Sequence, residues 1–387
     1  MVTLLNLINL LIFYLLAVSV SYLFIYAIAS KFYRRHKYPH TEKYNRFAVL
    51  FPAYKEDKVI EQSVISFLQQ NYPSDKYEII VISDQMEDAT NELLSQFPIR
   101  LLKANYQNSS KAKAMAMAMD ATKDEKYDMV IIMDADNTTT PYFLEEINCA
   151  CNAGLQAIQA HRLAKNTNTD IAILDAVSEE INNSIFRKGH VAMGFSSALI
   201  GSGMAFETNW FRRNVKNIHT AGEDKELEAL LLKQNIYVDY LDHLYVYDEK
   251  TQKKDSMAHQ RRRWFAAQLG SLKASLPYFP KAFILGNFDY CDKVLQWMML
   301  PRIILIFLTA IFTLLTSIIH PEMSIKWWSL SFLLLFTLCI VIPTHLYNRQ
   351  LLRALFQIPA LAWIMFINLF KLKGVNKEFI HTEHDHN

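Results

Sequence analysis

The feature that most constrains the fold is an uncharged run near the N-terminus, which extends from Val2 to Ser30. It is longer than the apolar core of a signal peptide, about 7–15 residues, and no basic segment precedes it. A basic flank follows over residues 31–37, and such residues favour the cytoplasmic side of a membrane. The run predicts a retained transmembrane helix over residues 1–30, followed by a cytosolic domain over residues 31–270.

Two further apolar runs predict membrane spans near the C-terminus, Ile303–Ile319 and Trp327–Tyr347. The connection between them contains one lysine, Lys326, whereas Arg349 and Arg353 follow the second run. This charge bias predicts two helices within residues 303–347, with the central region and the C-terminal end both in the cytosol. We therefore expect an integral membrane protein of a plasma or inner membrane, in contact with the lipid bilayer.

Two segments near these spans are candidates for a position at the membrane interface. Residues 271–302 are predicted to form an amphipathic interface segment. The stretch Leu355–Leu372 is apolar enough to insert but contains Gln357, Pro359, Asn368 and Lys371. Both a spanning and an interfacial helix fit it, and we favour an interfacial helix followed by a cytosolic tail because further lysines come after it.

Composition separates the chain from nucleic-acid-binding and disulfide-rich proteins. Its 40 basic and 38 acidic side chains are nearly balanced, which gives no basic surface for a nucleic acid. Hydrophobic residues make up 51% of the chain and are concentrated at its two ends, as in membrane-anchored proteins. The four cysteines suggest neither a disulfide framework nor a zinc site.

Between residues 45 and 135, short β-rich runs alternate with helical segments, which is typical of an α/β domain with a parallel sheet. The predicted strands are Phe47–Phe51, Glu78–Ser83, Ile99–Leu102 and Met129–Met133, and the predicted helices are Lys58–Gln70, Ala89–Gln96 and Ser110–Thr122. Ligands bind such sheets beyond the carboxyl ends of the strands, and polar residues follow three of these four. The chain has neither a glycine-rich dinucleotide fingerprint nor a phosphate loop.

The most informative polar group is Asp134-Ala135-Asp136, directly after a buried strand. Mg²⁺ typically binds one or two carboxylates together with substrate phosphates, so the pair is a candidate metal site. A turn or a helix cap is the alternative for an isolated pair of this kind.

Other polar residues near the strand ends are candidates for donor contacts. Asp84 stands at a strand tip and can accept hydrogen bonds from a base or ribose, as can Glu56 after the first strand. Asp88 fits a helix cap equally well. Lys111 and Lys113 begin a helix near a possible phosphate position, although at least one of them is expected to be a solvated surface lysine.

Three later groups complete the candidate set. Gly201-Ser202-Gly203 indicates a tight turn or a close approach to a ligand. Glu223-Asp224 precedes a predicted helix over Lys225–Lys233, and both catalysis and a favourable helix dipole explain acids there. Gln260-Arg261-Arg262-Arg263-Trp264 offers guanidinium groups for phosphate and an aromatic face for a sugar, or else a patch at the membrane surface.

The order of these motifs resembles processive and related membrane members of glycosyltransferase family 2, the group that contains cellulose, chitin and hyaluronan synthases. Residues 52–57, Pro-Ala-Tyr-Lys-Glu-Asp, resemble the family's opening Pro-Ala-x-Asn-Glu-Glu, and residues 84–90 resemble its donor motif. Asp134-Ala135-Asp136 resembles its metal-binding Asp-x-Asp, Glu223-Asp224 its catalytic pair, and residues 260–264 its Gln-x-x-Arg-Trp. The resemblance implies a GT-A-type, Rossmann-like mixed sheet domain with transmembrane helices at both ends.

Two motifs depart from the family pattern. The usual Gly-Lys-x-x-Ala-Leu-Asn is replaced by a segment in which both Lys111 and Lys113 fit the spacing of the lysine. Residues 379–384, Phe-Ile-His-Thr-Glu-His, resemble a Trp-x-x-Thr-x-Arg ending that returns to the active site in relatives, with Phe379 and His384 in place of Trp and Arg.

The resemblance implies an inverting hexosyltransferase that uses a nucleotide sugar, a UDP-sugar above all, and Mg²⁺ or Mn²⁺. Asp224 would be the catalytic base, and Asp136 and Asp134 would bind the metal. The implied donor-binding residues are Ala53, Tyr54, Glu56, Asp84, Lys111, Lys113, Asp134 and Arg263, and the implied acceptor-binding residues are Gly203, Glu223, Gln260 and Trp264.

The acceptor implied by the resemblance is a growing polysaccharide at the membrane. Transfer of a single sugar to a lipid acceptor is the alternative. A catalytically silent membrane subunit that binds a nucleotide sugar or scaffolds other enzymes is a third hypothesis, against which the retention of Asp136, Asp224 and Arg263 argues.

Overall fold

The first part of the computed structural model is an α/β arrangement that follows one long N-terminal helix. The model describes residues 2–218, 220 and 222–369, so the predicted motif at residues 379–384 lies outside the described residues. In chain order the elements up to residue 152 are α1 (Val2–Lys31), β1 (Phe47–Tyr54), α2 (Ile60–Leu68), β2 (Tyr77–Asp84), α3 (Asp88–Leu94), β3 (Arg100–Ala104), α4 (Lys111–Ala121), β4 (Met129–Ile132), β5 (Thr138–Thr139) and α5 (Phe143–Asn152). The four strands and three helices predicted from the sequence are confirmed.

The remainder of the chain completes the sheet and then becomes helical. Its elements are β6 (Ala157–Ala164), α6 (Asp170–Asn182), which continues through a π-helical segment (Asn183–Gly189) into α7 (His190–Ala192), β7 (Met204–Glu207), α8 (Thr208–Asn214), α9 (Glu223–Lys233), β8 (Val238–Asp248), α10 (Lys254–Ser275), α11 (Phe279–Ile284), α12 (Phe288–Met298), α13 (Arg302–Ile319), α14 (Pro321–Val341), α15 (Arg349–Leu355) and α16 (Ile358–Leu369).

In the part of the chain that the structure describes, eight strands form one mixed sheet in the order β3-β2-β1-β4-β7-β6-β8-β5. β1 is parallel to β2 and β4, whereas β7 is antiparallel to both β4 and β6. β1, β2 and β4 are buried on both faces, which explains their nearly continuous apolar sequences. Apolar residues of α2 and α5 cover one face of the sheet, and those of α4, α8 and α9 cover the other. The parallel strands therefore direct their carboxyl ends, with the polar residues, to one edge.

The N- and C-terminal helices form a separate apolar cluster. Leu16 and Val20 of α1 pack with Trp327 of α14 and Leu305 of α13, all of them almost fully buried. Within the described residues, three helices are long and apolar enough to cross a membrane, Asn6–Lys31, Arg302–Ile319 and Pro321–Val341. The pair Arg349–Leu355 and Ile358–Asn368 is bent by 45° and has the composition of a broken span or a re-entrant loop.

Three predicted boundaries need correction. The third apolar helix does not extend over Trp327–Tyr347 but begins at Pro321, so Lys326 lies in the helix and not in a connection. It ends at Val341 because Pro343 disfavours helical geometry in the residue before it. The helix predicted to begin at Lys225 begins at Glu223, so both acids lie in its first turn.

Candidate functional site

The polar edge of the sheet opens into one large cavity of about 730 Å³. We call the part lined by the strand ends the sheet half, which includes Ala53, Tyr54, Glu56, Asp84, Asp134, Asp136 and Asp248. We call the part lined by side chains of α6, α10, α13, α14 and α16 the helix half, which includes Asp175, Arg261, Arg302, Leu305, Leu338 and Met365. Asp224, Arg263 and Trp264 also line this cavity.

The sheet half contains three carboxylates that could hold a metal ion. Asp134, Asp136 and Asp248 each offer an oxygen atom, and these atoms lie within 4.8 Å of one another. Asn137 positions two of these carboxylates, because its Nδ2 donates to Asp136 Oδ1 at 2.9 Å and to Asp248 Oδ1 at 3.2 Å. Carboxylate oxygens grouped in this way fit a hard divalent cation.

Asp248 was not among the residues predicted from the sequence. It ends β8, which reaches the site by pairing with β6 on the far side of β7. Burial opposes ionisation of Asp248, but the charges of Arg162 and Lys250 outweigh that effect and lower its pKa. Lys250 Nζ lies 2.7 Å from Asp248 Oδ2. The only sequence signal was the alternating pattern of Val238–Asp248, which is typical of a strand.

The two candidate lysines face different surroundings. Lys111 lines the cavity and forms an ion pair with Asp134, and its Nζ donates to Gly201 O at 2.6 Å. Burial would lower the pKa of Lys111, but Asp134 and Glu223 more than offset it and raise the pKa. Lys113 does not line the cavity, and its Nζ donates to Asn108 O at 2.6 Å. Lys111 is therefore the lysine that the structure brings to the carboxylates.

Asp84 is the polar group that most clearly lacks a partner. It is 3% exposed, and its Oδ1 accepts no hydrogen bond from the described residues. A buried acceptor without a partner is costly, so a ligand donor at this position would be strongly favoured. Tyr54 and Glu56 line the same part of the cavity, and the Tyr54 hydroxyl donates to Gln85 Oε1 at 3.3 Å.

Glu223 and Asp224 begin α9 but have different contacts. Glu223 Oε1 lies 3.6 Å from Lys111 Nζ, and burial raises the pKa of this carboxyl to about 7 although Lys111 opposes the rise. Asp224 Oδ1 accepts from the Lys225 backbone N–H at 2.8 Å, which orients the carboxylate. Asp224 Oδ2 lies 3.9 Å from Lys225 Nζ.

Close packing brings α9 and α10 together at the cavity. A Cβ on Gly222, the residue before α9, would lie 2.6 Å from the Ala267 Cβ of α10, so only glycine allows this approach. The contact holds Arg263 and Trp264 of α10 beside the acids of α9. Burial lowers the pKa of Arg263, while Glu223, Asp134 and Asp224 act in the opposite direction. The Arg261 guanidinium lies 4.7 Å from the Trp264 ring centre.

The remaining predicted residues are Gln260, which lines the cavity, and Gly203, which does not. Gly203 has a φ of +63°, and a Cβ there would lie 2.7 Å from Val246 Cγ2. Its amide donates to Ile132 O at 2.9 Å. Gly203 thus forms a tight turn directly before β7. Of the two alternatives predicted for this segment, a tight turn or a close approach to a ligand, this geometry fits the first.

Comparison with known proteins assigns the chain to a family of glycosyltransferases. Residues 45–267 match the family described as glycosyltransferase like family 2, which is more than half of the chain. The chain belongs to this family. Probable glycosyltransferase YdaM of Bacillus subtilis (strain 168) is 31% identical over 98 residues, which are 24% of this chain and 23% of that protein. The match therefore spans about a quarter of this curated relative.

Two solved structures are similar to the chain. The mannosyltransferase PcManGT from Pyrobaculum calidifontis, solved with GDP-Man and Mn²⁺, has a TM-score of 0.51 at 13% identity, over 84% of this chain and 96% of that one. TarS 1–349 of S. aureus with UDP-GlcNAc has a TM-score of 0.42 at 13% identity, over 85% and 90% of the two chains. The PcManGT likeness confirms the predicted GT-A-type sheet.

Proposed function

We propose that the protein is an inverting hexosyltransferase that moves a sugar from a nucleotide sugar to an acceptor that arrives from the membrane. The supporting observation is the single cavity that Asp84, the three-carboxylate cluster, Asp224 and apolar residues of the C-terminal helices all line. A donor in the sheet half and an acceptor in the helix half would meet at Asp224. The basic flank after α1 supports a cytosolic position for this domain.

The sheet half suits the nucleotide and its diphosphate. The unpartnered Asp84 Oδ1 would accept a hydrogen bond from the base, by resemblance uracil. The Lys111 ammonium, which already faces Asp134 and Glu223, would lie against the diphosphate. Arg263 would add a second positive charge at the leaving group, where charge develops during the reaction.

Asp134, Asp136 and Asp248 would hold Mg²⁺ or Mn²⁺. When bound, the ion supplies positive charge that stabilises the departing diphosphate. Asn137 and Lys165 orient the cluster, because Asn137 donates to two of its carboxylates and Lys165 Nζ donates to the Asp136 carbonyl.

Asp224 would act as the general base at its less engaged oxygen, Oδ2. It would take the proton from the acceptor hydroxyl while that oxygen bonds to the anomeric carbon and the bond to the diphosphate breaks. One displacement without a covalent enzyme intermediate inverts the anomeric configuration. Trp264 would offer its ring face to the acceptor sugar.

The helix half supports a lipid-linked acceptor over a polysaccharide that is extruded through the protein. The likeness of residues 260–264 to Gln-x-x-Arg-Trp motivates the polysaccharide hypothesis. However, Leu305, Leu338, Ile342, Leu361 and Met365 line this part of the cavity. Such side chains offer no hydrogen bonds to the hydroxyls of a sugar chain, whereas they suit a hydrocarbon chain.

The test is release of nucleoside diphosphate by the full chain purified in detergent, across a panel of UDP-sugars with Mn²⁺ or Mg²⁺ and lipid extract. We expect one donor to be turned over, and mass analysis to show one sugar added to a lipid. Asp224→Asn should abolish most of this release, and the surface variant Asp120→Asn should retain it. Absence of turnover with every donor would contradict the proposal, and long polymer products would contradict the lipid acceptor.

A further inference from the structure

Several basic side chains line the cavity. Three of them share one carboxylate, because Glu179 oxygens lie 2.9 Å from Arg162, 3.2 Å from Arg187 and 3.8 Å from Lys250. Arg261 forms an ion pair with Asp175. All of these basic residues line the cavity, as does Arg302.

Arg302 is the member of this group without a counter-ion. Its Nη2 donates to the carbonyl and the hydroxyl of Ser178, both at 3.0 Å. Its Nη1 has less than 1 Å² of exposed surface and no hydrogen-bond partner among the described residues, and the same holds for Nε of Arg261. No described carboxylate lies within 4.0 Å of the Arg302 guanidinium. An enclosed, unpaired cation is costly, so an anion at this position would be strongly stabilised.

The surroundings of Arg302 restrict the kind of anion. Arg302 is the first residue of α13, and the cavity beyond it is lined by Leu305 and Ile306 of that helix and by Leu338 of α14. The bent pair α15 and α16 adds Leu361 and Met365. A ligand that fits both features has an anionic group joined to a long hydrocarbon chain. Guanidinium groups bind phosphate oxygens well because their N–H donors match that geometry.

We propose that Arg302 and Arg261 bind the phosphate of a phosphorylated lipid, whose hydrocarbon chain lies among α13, α14 and α16. This inference rests on the proposed function, since it assigns the chemical class of the acceptor. The phosphate of the lipid carrier binds at the base of the helix half, and the group to be glycosylated extends from it towards Asp224.

The test measures binding, not turnover. The full chain in uncharged detergent is titrated with a long-chain alkyl monophosphate, with the matching alcohol and with inorganic phosphate, and tryptophan fluorescence reports binding. We expect the alkyl phosphate to bind at least about tenfold more tightly than the alcohol, because a hydrogen-bonded charge contributes that much. Equal affinity for the alcohol would overturn the proposal. Equal affinity for inorganic phosphate would show a free-anion site and would also overturn it.

Variants identify the residues. Arg302→Gln should weaken alkyl phosphate binding about tenfold or more and leave binding of the alcohol unchanged. Arg302→Lys should recover part of the loss, and Arg213→Gln, an exposed arginine of α8 outside the cavity, should bind as the original chain does. Full affinity in Arg302→Gln would contradict the assignment. Retained UDP binding checks that the variant is folded, and the comparison of phosphate with alcohol on the unaltered chain needs no variant.

Different experimental outcomes would contradict the phosphate subsite and the proposed transferase activity. If the alkyl phosphate binds through Arg302 but no UDP-sugar is ever turned over, the subsite stands and the transferase proposal fails. If a UDP-sugar is transferred to an uncharged lipid, the transferase proposal stands and the phosphate subsite fails. A higher affinity for an anionic glycan than for the alkyl phosphate would likewise contradict the phosphate subsite.

Discussion

The sheet half and the helix half of the cavity are built in different ways. In the sheet half, Asp84, Asp134 and Asp248 stand at strand ends, whose positions follow from the pairing of the strands. In the helix half, Arg261, Arg302 and Leu338 come from three helices that are held together by side-chain contacts and not by strand pairing. We propose that the sheet half binds the donor and the metal ion. We infer that the helix half determines which acceptor is used.

The largest expected effect concerns Asp224, where the two halves meet. Asp224→Asn should lower kcat by about 10²–10⁴-fold, because the side chain keeps its shape but no longer accepts a proton. The affinity for UDP should change little, since Asp224 has no part in the carboxylate cluster. Steady-state kinetics with UDP titration measure both quantities. Unchanged turnover would show that another residue is the base. It would also contradict the proposal that donor and acceptor meet at Asp224.

The next largest effect tests Asp248, the carboxylate that only the structure identified. Asp248→Asn should weaken activation by Mn²⁺ about tenfold or more, because one ligand charge is lost. Activity should return at higher Mn²⁺ concentration, which a purely structural defect would not allow. Titration of activity against Mn²⁺ measures this, with Asp120→Asn as the matched surface control. An unchanged Mn²⁺ requirement would exclude Asp248 from the metal site.

A pair of variants tests whether the two halves are functionally separate. Asp84→Asn should raise KM for the donor about tenfold, since it removes a charged acceptor from the nucleoside. Leu338→Ala should raise KM for the lipid acceptor about tenfold, since it removes contact with about two to three methylene groups. Each variant should leave the other KM unchanged, and Phe332→Ala on the outer face of α14 should change neither. A rise in both constants for either variant would contradict the separation.

The smallest effect lies outside both halves. The carboxylates of Asp242 and Glu146 raise the pKa of His243 to about 9, well above its ordinary value of 6.5. A raised pKa in the folded state stabilises the protein fully below about pH 6.5, and the contribution is lost as the pH rises through about 9. His243→Gln should therefore lower the Tm in detergent by a few degrees at most at pH 6, and by nothing above pH 9. If the difference in Tm stayed constant between pH 6 and pH 9, the ion pairing of His243 with Asp242 and Glu146 would be contradicted.

Most strand-end residues of the sheet half could be recognised in the sequence because their signals are local. Each parallel strand is an apolar run followed by polar residues, so Asp84, Asp134 and Asp136 could be recognised one strand at a time. The choice between Lys111 and Lys113 was not readable, because residues two apart on a helix point in nearly opposite directions. Only the packing of α4 against the sheet determines which of the two faces the site.

Two residues whose positions depend on tertiary packing, one in each half, could not be predicted from the sequence. Asp248 lies 112 positions after Asp136 and approaches it only because β8 pairs with β6 and β5. Arg302 is the last residue of the predicted interface segment, residues 271–302, and the sequence alone does not single it out. Its partner Ser178 is in α6, far away in sequence, so the pairing depends on tertiary packing.

The central claim is that the sugar passes from the donor in the sheet half to the acceptor in the helix half by a single displacement. The anomeric configuration of the product tests this claim most directly. The full chain is supplied with the UDP-sugar that it turns over and with lipid acceptor, and nuclear magnetic resonance gives the configuration of the new bond before it can equilibrate. The account predicts inversion relative to the donor, together with its loss in Asp224→Asn. A product that retains the donor's configuration would contradict a single displacement with Asp224 as the base.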